Sequence, residues 1–420
     1  MIDVKTIGAK GDGIQEDSTY INLAIDQALK TGQDVFIPSG TYKCNQFITG
    51  NTTTIKIAQS GIKKIKIYGE KGTKITTSND SGSIMFFMYN LVDTTIQDIF
   101  FENTHDITLN QTNAIRCMGT GANLIKNLNI KNCRFEGFST ALSIQGVIGL
   151  NIIDNIFEAP KGHDNAQNNS SPAVFVWLFD NQNGQCYDVE IIGNNANGFT
   201  GTDINNTVTK RPMDGFVYGT AYGMLISNNI TRNLCEEHIA IAPLTIYPNL
   251  NYPILISNNI FYQGIPSGCT KNNAPLISNY GVRTDCNNVT ITDNVFFDFT
   301  CGVLVYGLDY PTLKQSNYMI TNNKFYSPRN NMYKIYYAIK IAGSVNNLTS
   351  NVIILNNMFD IDNTTLNTNL TIIGLYNCER LNVENNYIFK KNIVLGSFTV
   401  SDIVINNSLD YISNNNIVRN

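Results

Sequence analysis

The chain has 420 residues, a net charge of −4 and only 15% charged side chains. This composition argues against a nucleic-acid partner, which needs clustered basic residues. The sequence also contains no run of eighteen or more apolar residues, the pattern that would predict a membrane span. No signal peptide is visible at the N-terminus. Nine scattered cysteines without a CxxC pair are interpreted as mostly buried free thiols rather than as zinc ligands or redox groups.

The first predicted element is an amphipathic helix that follows the glycine-rich stretch GAKGDG at residues 8–13. Asp17 or Ser18 is suited to cap its N-terminus, the helix should run from about 19 to 30, and Gly32 should end it. One face of this helix is apolar and comprises Ile21, Ala24, Ile25, Ala28 and Leu29. The stretch DVFIPSGTY then predicts a strand and a turn.

A repeat occupies most of the remaining chain. Each copy has alternating apolar residues, then Asn-Asn or Asp-Asn, then often an aromatic residue, as in NIIDNIF at 151, LISNNIF at 255 and TITDNVF at 290. The last asparagine or its equivalent marks each copy: Asp98, Cys133, Asn155, Asn195, Asn229, Asn259, Asn294, Asn323, Asn357 and Asn386. Intervals of 22 to 40 residues and an apolar period of two predict an all-β fold, a parallel β-helix of about ten or more coils.

The asparagines have a structural explanation in such a fold. Stacked at one turn, each side-chain amide can donate to the next coil and accept from the previous one. Asparagine also tolerates the left-handed conformation of a tight turn. We therefore expect an asparagine ladder and no catalytic role for these residues.

The N-terminal motifs resemble those of the pectin lyase-like family of right-handed parallel β-helix proteins. The resemblance covers GAKGDG, EDSTYINLAIDQAL and VFIPSGTY, roughly residues 4–42. It implies a right-handed parallel β-helix and, because the motif is common in phage tailspikes, polysaccharide lyases and glycoside hydrolases, carbohydrate chemistry. Because solenoids need caps, residues 1–45 are predicted to cap a single β-helix domain at 46–420.

The third strand of each coil is predicted to carry an aromatic outer face. Its β-branched residues should point inward: Val174, Val176, Val217, Ile239, Ile241, Val303, Val305, Ile339 and Ile341. Alternation then places outward Phe175, Trp177, Phe179, Phe216, Tyr218, His238, Tyr280, Tyr306 and Lys340. All of these except His238 are candidate substrate-binding residues, together with Asp180 and Arg283 from turns that flank this face. Aromatic side chains suit the flat C–H faces of sugar rings, and exposed aromatic clusters mark binding surfaces. The alternative is that loops at 158–172 and 197–214 cover these aromatics.

Four residues in adjacent coils are the candidate catalytic groups: Asp214, Glu236, Glu237 and His238. Aligned coils would place Asp214 about 5 Å from Glu236, a spacing that suits a retaining glycosidase, and Glu237 and His238 follow directly. The alternative is that these are ordinary turn residues. Asp203, Asp285 and Asp309 are weaker candidates. The family's polygalacturonase motifs NTD, DD, GHG and RIK are not found.

The favoured function is binding and depolymerisation of a bacterial surface or extracellular polysaccharide by a tailspike-like glycoside hydrolase, located in a virion or outside the cell and possibly homotrimeric. One alternative is a secreted lyase acting on a uronate, for which Arg283, Lys340, Tyr306 and His238 could supply the cation and the base. The other is a non-catalytic glycan-binding or structural protein. No metal or cofactor is expected, except a calcium ion if the protein is a lyase.

Overall fold

A computed structural model describes residues 1–48, 52–79, 82–105, 112–121, 123–159, 163–164, 173–179, 184–199, 210–211, 213–242, 252–263, 270–271, 274–275, 280–307, 315–326, 337–362, 370–391 and 400–419. The fold is a right-handed parallel β-helix, as the sequence predicts. The chain divides into two compact units, residues 1–224 with 270–273 and residues 225–269 with 274–420. A cap at 1–45 followed by one domain at 46–420 stays a prediction.

The N-terminal segment contains the predicted helix. Helix α1 is one turn at Val4–Ile7, and helix α2 spans Ser18–Thr31, one residue longer at each end than predicted. All five predicted apolar-face residues of α2 are buried, and Gly32 ends the helix in the left-handed conformation. Asn22 joins α2 to the strand Thr53–Gly69, since its side chain donates to Thr54 O and accepts from Lys56 N.

Asp17 explains why glycines precede the helix. It occupies the N-cap position without a side-chain capping bond; its carboxylate instead accepts the backbone N–H groups of Lys10 and Gly11, at 2.8 and 3.1 Å. Gly11 has φ +66°, and a Cβ there would lie 2.8 Å from the ring of Tyr42. The loop therefore closes against the buried tyrosine, a structural role for the motif.

Each coil contains a front, a flank and a back strand, in that chain order. In the first unit the front strands are Asn113–Met118, Thr140–Gln145, Val174–Leu178 and Gly215–Gly219. The flank strands are Ile2–Asp3, Val35–Ile37, Ile125–Lys131, Val147–Ile153 and Tyr187–Ile192, and Thr53–Gly69 and Ile84–Gln97 run through both front and flank. The back strands are Asp12–Glu16, Gly40–Lys43, Thr73–Thr77, Phe100–Asn103, Arg134–Glu136, Ile156–Glu158 and Asn195–Asn197. The short strands are His163–Asp164, Lys210–Arg211 and Thr270–Lys271.

The second unit repeats this arrangement. Its front strands are Glu237–Ile241, Tyr280–Thr284, Cys301–Tyr306, Tyr337–Ala342, Leu370–Tyr376 and Val400–Asn406. Its flank strands are Ile254–Ser257, Val289–Thr292, Ser316–Thr321, Thr349–Leu355, Cys378–Glu384 and Leu409–Asn414. Its back strands are Ile230–Arg232, Ile260–Tyr262, Val295–Phe297, Lys324–Tyr326, Met358–Asp362, Tyr387–Lys391 and Ile417–Arg419. The strand Tyr222–Ser227 contains the boundary between the units, and Ala274–Pro275 is a short additional strand.

The predicted asparagine ladder lies at the turn between flank and back strands. In the second unit each amide donates to the Oδ1 of the next at 2.9–3.1 Å, through Asn229, Asn259, Asn294, Asn323, Asn357, Asn386 and Asn416. The residue before each ladder asparagine has a positive φ, for example 58° at Asp293. Both predicted reasons for asparagine at this turn are therefore confirmed.

The ladder is shorter in the first unit and differs by one residue from the sequence markers. Asn155 donates to Asn194, not to the marker Asn195. Cys133 takes the ladder place in the preceding coil, where its N–H donates to Asn155 Oδ1. Before it, Ile99 rather than Asp98 occupies that place, since Asp98 is the residue with positive φ.

The interior is filled by aliphatic rows and by stacked phenylalanines from the back strands. Phe101, Phe135 and Phe157 stack in the first unit with ring centroids 5.1–5.2 Å apart, and a second stack contains Phe261, Phe296, Phe325 and Phe359. All nine predicted inward aliphatic residues are buried. The eight cysteines in the described ranges are buried free thiols; Cys269 lies outside those ranges. Neither helix within these ranges is long and apolar enough to cross a membrane.

Candidate functional site

The outer face of the front strands in the first unit carries one continuous row of side chains. Six residues are successive Cα partners across adjacent strands, and we call them the front row: Lys56, Phe87, Arg116, Ser143, Trp177 and Tyr218. Neighbouring members are separated by one strand spacing, about 4.8 Å. The row therefore combines two cations and three aromatic rings with no carboxylate.

Trp177 is the largest side chain of the front row. Val176 and Leu178 on either side of it are buried, whereas Trp177 is half-buried. Its ring stacks on Phe179, with centroids 4.3 Å apart and an interplanar angle of 22°. The outward orientation predicted for Trp177, Phe179 and Tyr218 is consistent with their half-buried side chains. Asp180 lies outside the described residues, as does most of the loop sequence that the alternative interpretation placed over this face.

Arg116 is a feature of this face that the sequence interpretation missed. It is half-buried between the interior residues Ile115 and Cys117 of its strand. Burial lowers the pKa of its guanidinium from the ordinary value. Within the described part of the chain no carboxylate lies within 4.0 Å of it and no residue accepts a hydrogen bond from it.

Three residues predicted to face outward are buried, so that part of the orientation prediction is wrong. Phe175 and Phe216 pack on the interior ring of Phe157, with centroid distances of 5.6 and 5.7 Å. His238 is fully buried and contacts the rings of Phe261 and Phe299.

A kink near the start of each front strand explains this error. In the second unit Glu237 pairs with Tyr280 and Ile239 with Val282, and the position between them, occupied by His238 and Gly281, is absent from the paired register. A Cβ on Gly281 would lie 2.5 Å from the ring of Phe296, so this position faces the interior. Two consecutive residues of each strand therefore point inward, which a strict period of two does not anticipate.

His238 is held as a neutral core residue. Its Nδ1 lies beside the hydroxyl of Thr231, and its Nε2 is 3.0 Å from Oε1 of Gln263. Burial lowers its pKa to about 3. A buried imidazole with both nitrogens engaged cannot reach a substrate on the outer face, and the catalytic role suggested by the sequence is withdrawn.

Asp214 also has a structural role. It is almost fully buried, its carboxylate accepts the backbone N–H of Ala173 at 2.7 Å, and its own N–H donates to Ala173 O at 2.8 Å. It belongs to the first unit, whereas Glu236 and Glu237 belong to the second. The described contacts thus favour the turn interpretation for Asp214.

The second unit brings together two carboxylates and one guanidinium at its front strands. Arg283 Nη1 lies 3.4 Å from Glu237 Oε1, and Arg283 Nη2 lies 3.8 Å from Asp285 Oδ2. Side-chain exposure is 31% for Arg283 but only 11% for Glu237 and 4% for Asp285. Asp285 Oδ1 also accepts the backbone N–H of Tyr306, at 3.0 Å. In the described contacts, two carboxylates of this cluster therefore share one guanidinium.

The remaining predicted residues that the structure describes lie on or beside the front strands that carry this cluster, or on the next front strands of the same unit. Glu236 and Tyr280 are half-buried, and Tyr280 N donates to Glu236 O at 3.0 Å. Arg283 is the Cα partner of Leu304, which is the partner of Lys340. Lys340 Nζ lies 4.9 Å from the ring centroid of Tyr337, and Tyr306 is half-buried. Asp203 and Asp309 lie outside the described residues.

The described residues contain no group of three or more His, Cys, Asp or Glu side chains arranged to hold a metal ion. The calcium ion considered for a lyase remains an untested expectation.

Comparisons with solved structures identify the same fold in proteins of different kinds. The A-module of the mannuronan C-5 epimerase AlgE6 from Azotobacter vinelandii matches with a TM-score of 0.61 and 14% identity over 100% of both chains. The tailspike of the E. coli bacteriophage HK620, solved in complex with a pentasaccharide, matches with a TM-score of 0.63 and 11% identity. The match covers 97% of this chain and 78% of the tailspike. PfbA, a surface adhesin of Streptococcus pneumoniae, matches with a TM-score of 0.59 and 15% identity. The match covers 93% of this chain and 90% of the adhesin.

No protein-family model and no curated protein sequence matches this chain. At 11–15% identity the structural matches establish the parallel β-helix fold.

Proposed function

We propose that this protein binds and depolymerises an extracellular or bacterial surface polysaccharide. The observation that carries the proposal is the stacked pair of Trp177 and Phe179 on the outer face of the front strands, beside Tyr218. Flat aromatic surfaces of this kind suit the C–H faces of sugar rings and are costly to leave facing water. A tailspike of the same fold has been solved in complex with a pentasaccharide, and another protein of this fold is a mannuronan epimerase, which supports a glycan as ligand.

Hydrolysis is the chemistry we favour, with Glu237 and Asp285 as its two carboxyl groups. Both carboxylates contact Arg283, but Asp285 also accepts the Tyr306 amide, which favours Asp285 as the ionised carboxylate. Glu237 is the more exposed of the two and is the candidate proton donor to the leaving oxygen. Asp285 would then activate water or attack the anomeric carbon, the two routes open to a carboxyl pair.

A lyase remains the second candidate because Arg283 is the most exposed member of the cluster. A guanidinium at a front strand could neutralise a uronate carboxylate, and Lys340 or Tyr306 could supply the base. The same cluster could also bind a glycan without cleaving it, as the third candidate function, a non-catalytic glycan-binding protein, requires.

Incubation with a panel of bacterial capsular and exopolysaccharides tests these alternatives. New reducing ends without ultraviolet absorbance indicate hydrolysis, whereas new ends that absorb as unsaturated uronates indicate elimination. Binding to immobilised polysaccharide without new ends would leave only the binding role, and failure to bind any member would overturn the proposal. Light scattering of the same sample tests the possible homotrimer. We also propose that the protein is located in a virion or outside the cell.

A further inference from the structure

We propose that the front row of the first unit recognises a carboxylate-bearing polysaccharide, with Arg116 as the receptor for a uronate carboxylate and Trp177 as the platform for a sugar ring. The inference rests on the proposed function and adds the class of substrate.

The first argument is the state of the Arg116 guanidinium. A guanidinium offers five N–H donors in a planar fork that matches a carboxylate. In the described residues none of these donors is used and no carboxylate lies within 4.0 Å, although the side chain is half-buried. A partly desolvated charge without a partner is unfavourable, and an incoming anion removes that cost.

Arg134 shows what a structural arginine looks like in the same unit. It lies on the outer side of a back strand, where its Nη2 contacts Glu136 at 2.8 Å and Glu158 at 2.6 Å. Its guanidinium also lies over the ring of Phe100, 4.7 Å from the centroid. Arg134 is thus paired with two carboxylates, whereas Arg116 contacts none among the described residues.

The second argument is that the described residues around Arg116 supply hydrogen-bond donors but no negatively charged acceptor. Ser143 is its Cα partner on the next strand, and Gln145 follows two residues later on the same face of that strand. Gln145 is more than nine-tenths buried, and among the described residues its Nε2 has no hydrogen-bond partner. A guanidinium, a hydroxyl and an unpaired amide on one face are complementary to an anion and not to a cation.

The third argument is the order of the row. Trp177 is the Cα partner of Ser143, so the stacking surface and Arg116 are two strand spacings apart, about 10 Å. Lys56 and Phe87 continue the row on the other side of Arg116 and repeat the pairing of cation and ring. A chain of acidic sugars laid along the row would meet a cation followed by an aromatic ring twice, first Lys56 and Phe87 and then Arg116 and, beyond Ser143, Trp177.

The test measures binding of polygalacturonate and alginate, and of the same polymers after carboxyl reduction, to the full chain and its variants. Arg116→Met keeps the apolar stem, so it should weaken polyuronate binding at least tenfold and leave binding of the reduced polymers unchanged. Arg116→Lys should restore binding in part, because the charge returns without the fork. Arg134→Met is the matched control and should not change the affinity for either polymer.

Three results would overturn the inference. One is equal binding of a polyuronate and its reduced form, and another is an Arg116→Met variant that binds polyuronates like the parent. A protein that binds and cleaves only neutral polysaccharides would remove the uronate assignment and leave the proposed function intact. Thermal unfolding of each variant must match the parent, so that lost binding is not lost folding.

Discussion

The side-chain amide of Asn259 donates to Oδ1 of Asn294 at 2.9 Å, and both residues are fully buried. The backbone N–H of Asn259 uses the same oxygen, and each amide also donates to a flank-strand carbonyl, Ile226 O for Asn259 and Ile256 O for Asn294. One asparagine thus satisfies polar groups in three coils, which makes the ladder a stabilising column rather than a set of separate turns.

The first prediction concerns this column. Asn294→Ala should lower the free energy of unfolding by about 2–4 kcal/mol, because it leaves several buried donors and acceptors unpaired at about 1–3 kcal/mol each, with partial relaxation. Urea denaturation monitored by circular dichroism measures the change. Asn151→Ala is the control: this half-buried side chain makes one 3.1 Å bond to Asn129, and we expect a loss of about 1 kcal/mol or less. Equal losses in the two variants would contradict the ladder's role.

The ladder also shows how much of the fold the sequence predicts. The asparagine spacing, the β-branched alternation and the N-terminal helix each follow from a local rule, and the structure confirms all three. Asp98 is misplaced by one residue because the left-handed residue and the ladder residue are adjacent and both are commonly Asn or Asp. Asn195 is misplaced because it directly follows the ladder residue Asn194 and has the same side chain. Sequence identity cannot separate these two positions, but the hydrogen bonds can.

The second prediction uses two neighbours that face opposite sides of one strand. Trp177→Ala should weaken polysaccharide binding at least tenfold with little change in stability, because the ring is half-buried on the outer face. Phe175→Ala should instead destabilise the protein by about 3–5 kcal/mol, because its ring is buried against Phe157. Binding to immobilised polysaccharide and thermal unfolding are measured for both. A stability loss at Trp177 as large as that at Phe175 would mean that Trp177 is a core residue.

The kink in the front strands is what the sequence could not reveal about the site. Alternation assigns Phe175, Phe216 and His238 to the outer face, but each occupies the position that turns inward. Arg116 was missed for a different reason: a single arginine in a strand carries no motif, and only the three-dimensional structure shows that it has no ionic partner among the described residues. A cation at the same register as Trp177 two coils earlier is the one signal that could have identified it.

The third prediction addresses the acid cluster of the second unit. Glu237→Gln and Asp285→Asn should each reduce polysaccharide cleavage by about 10²–10⁴-fold, the range for a positioned acid or base, while binding is retained. Reducing-end release under saturating substrate gives the rate. Glu190→Gln, an exposed flank-strand glutamate, should cleave like the parent. If both cluster variants retain full activity, the chemistry lies elsewhere in the chain.

The last prediction concerns acid stability and His238. Burial lowers its pKa to about 3 in the folded protein, against about 6.5 in an unfolded chain. Between these values the unfolded state binds one more proton, so the contribution of His238 to stability is complete above pH ~6.5 and is lost as the pH falls toward ~3, at about 1.4 kcal/mol per pH unit. His238→Phe places at this position the residue type found at the equivalent positions 175 and 216. This variant should show a shallower loss of unfolding free energy between pH ~6.5 and ~4.5, as measured by urea titrations at each pH. Identical pH slopes for parent and variant would show that His238 does not take up a proton on unfolding in this range.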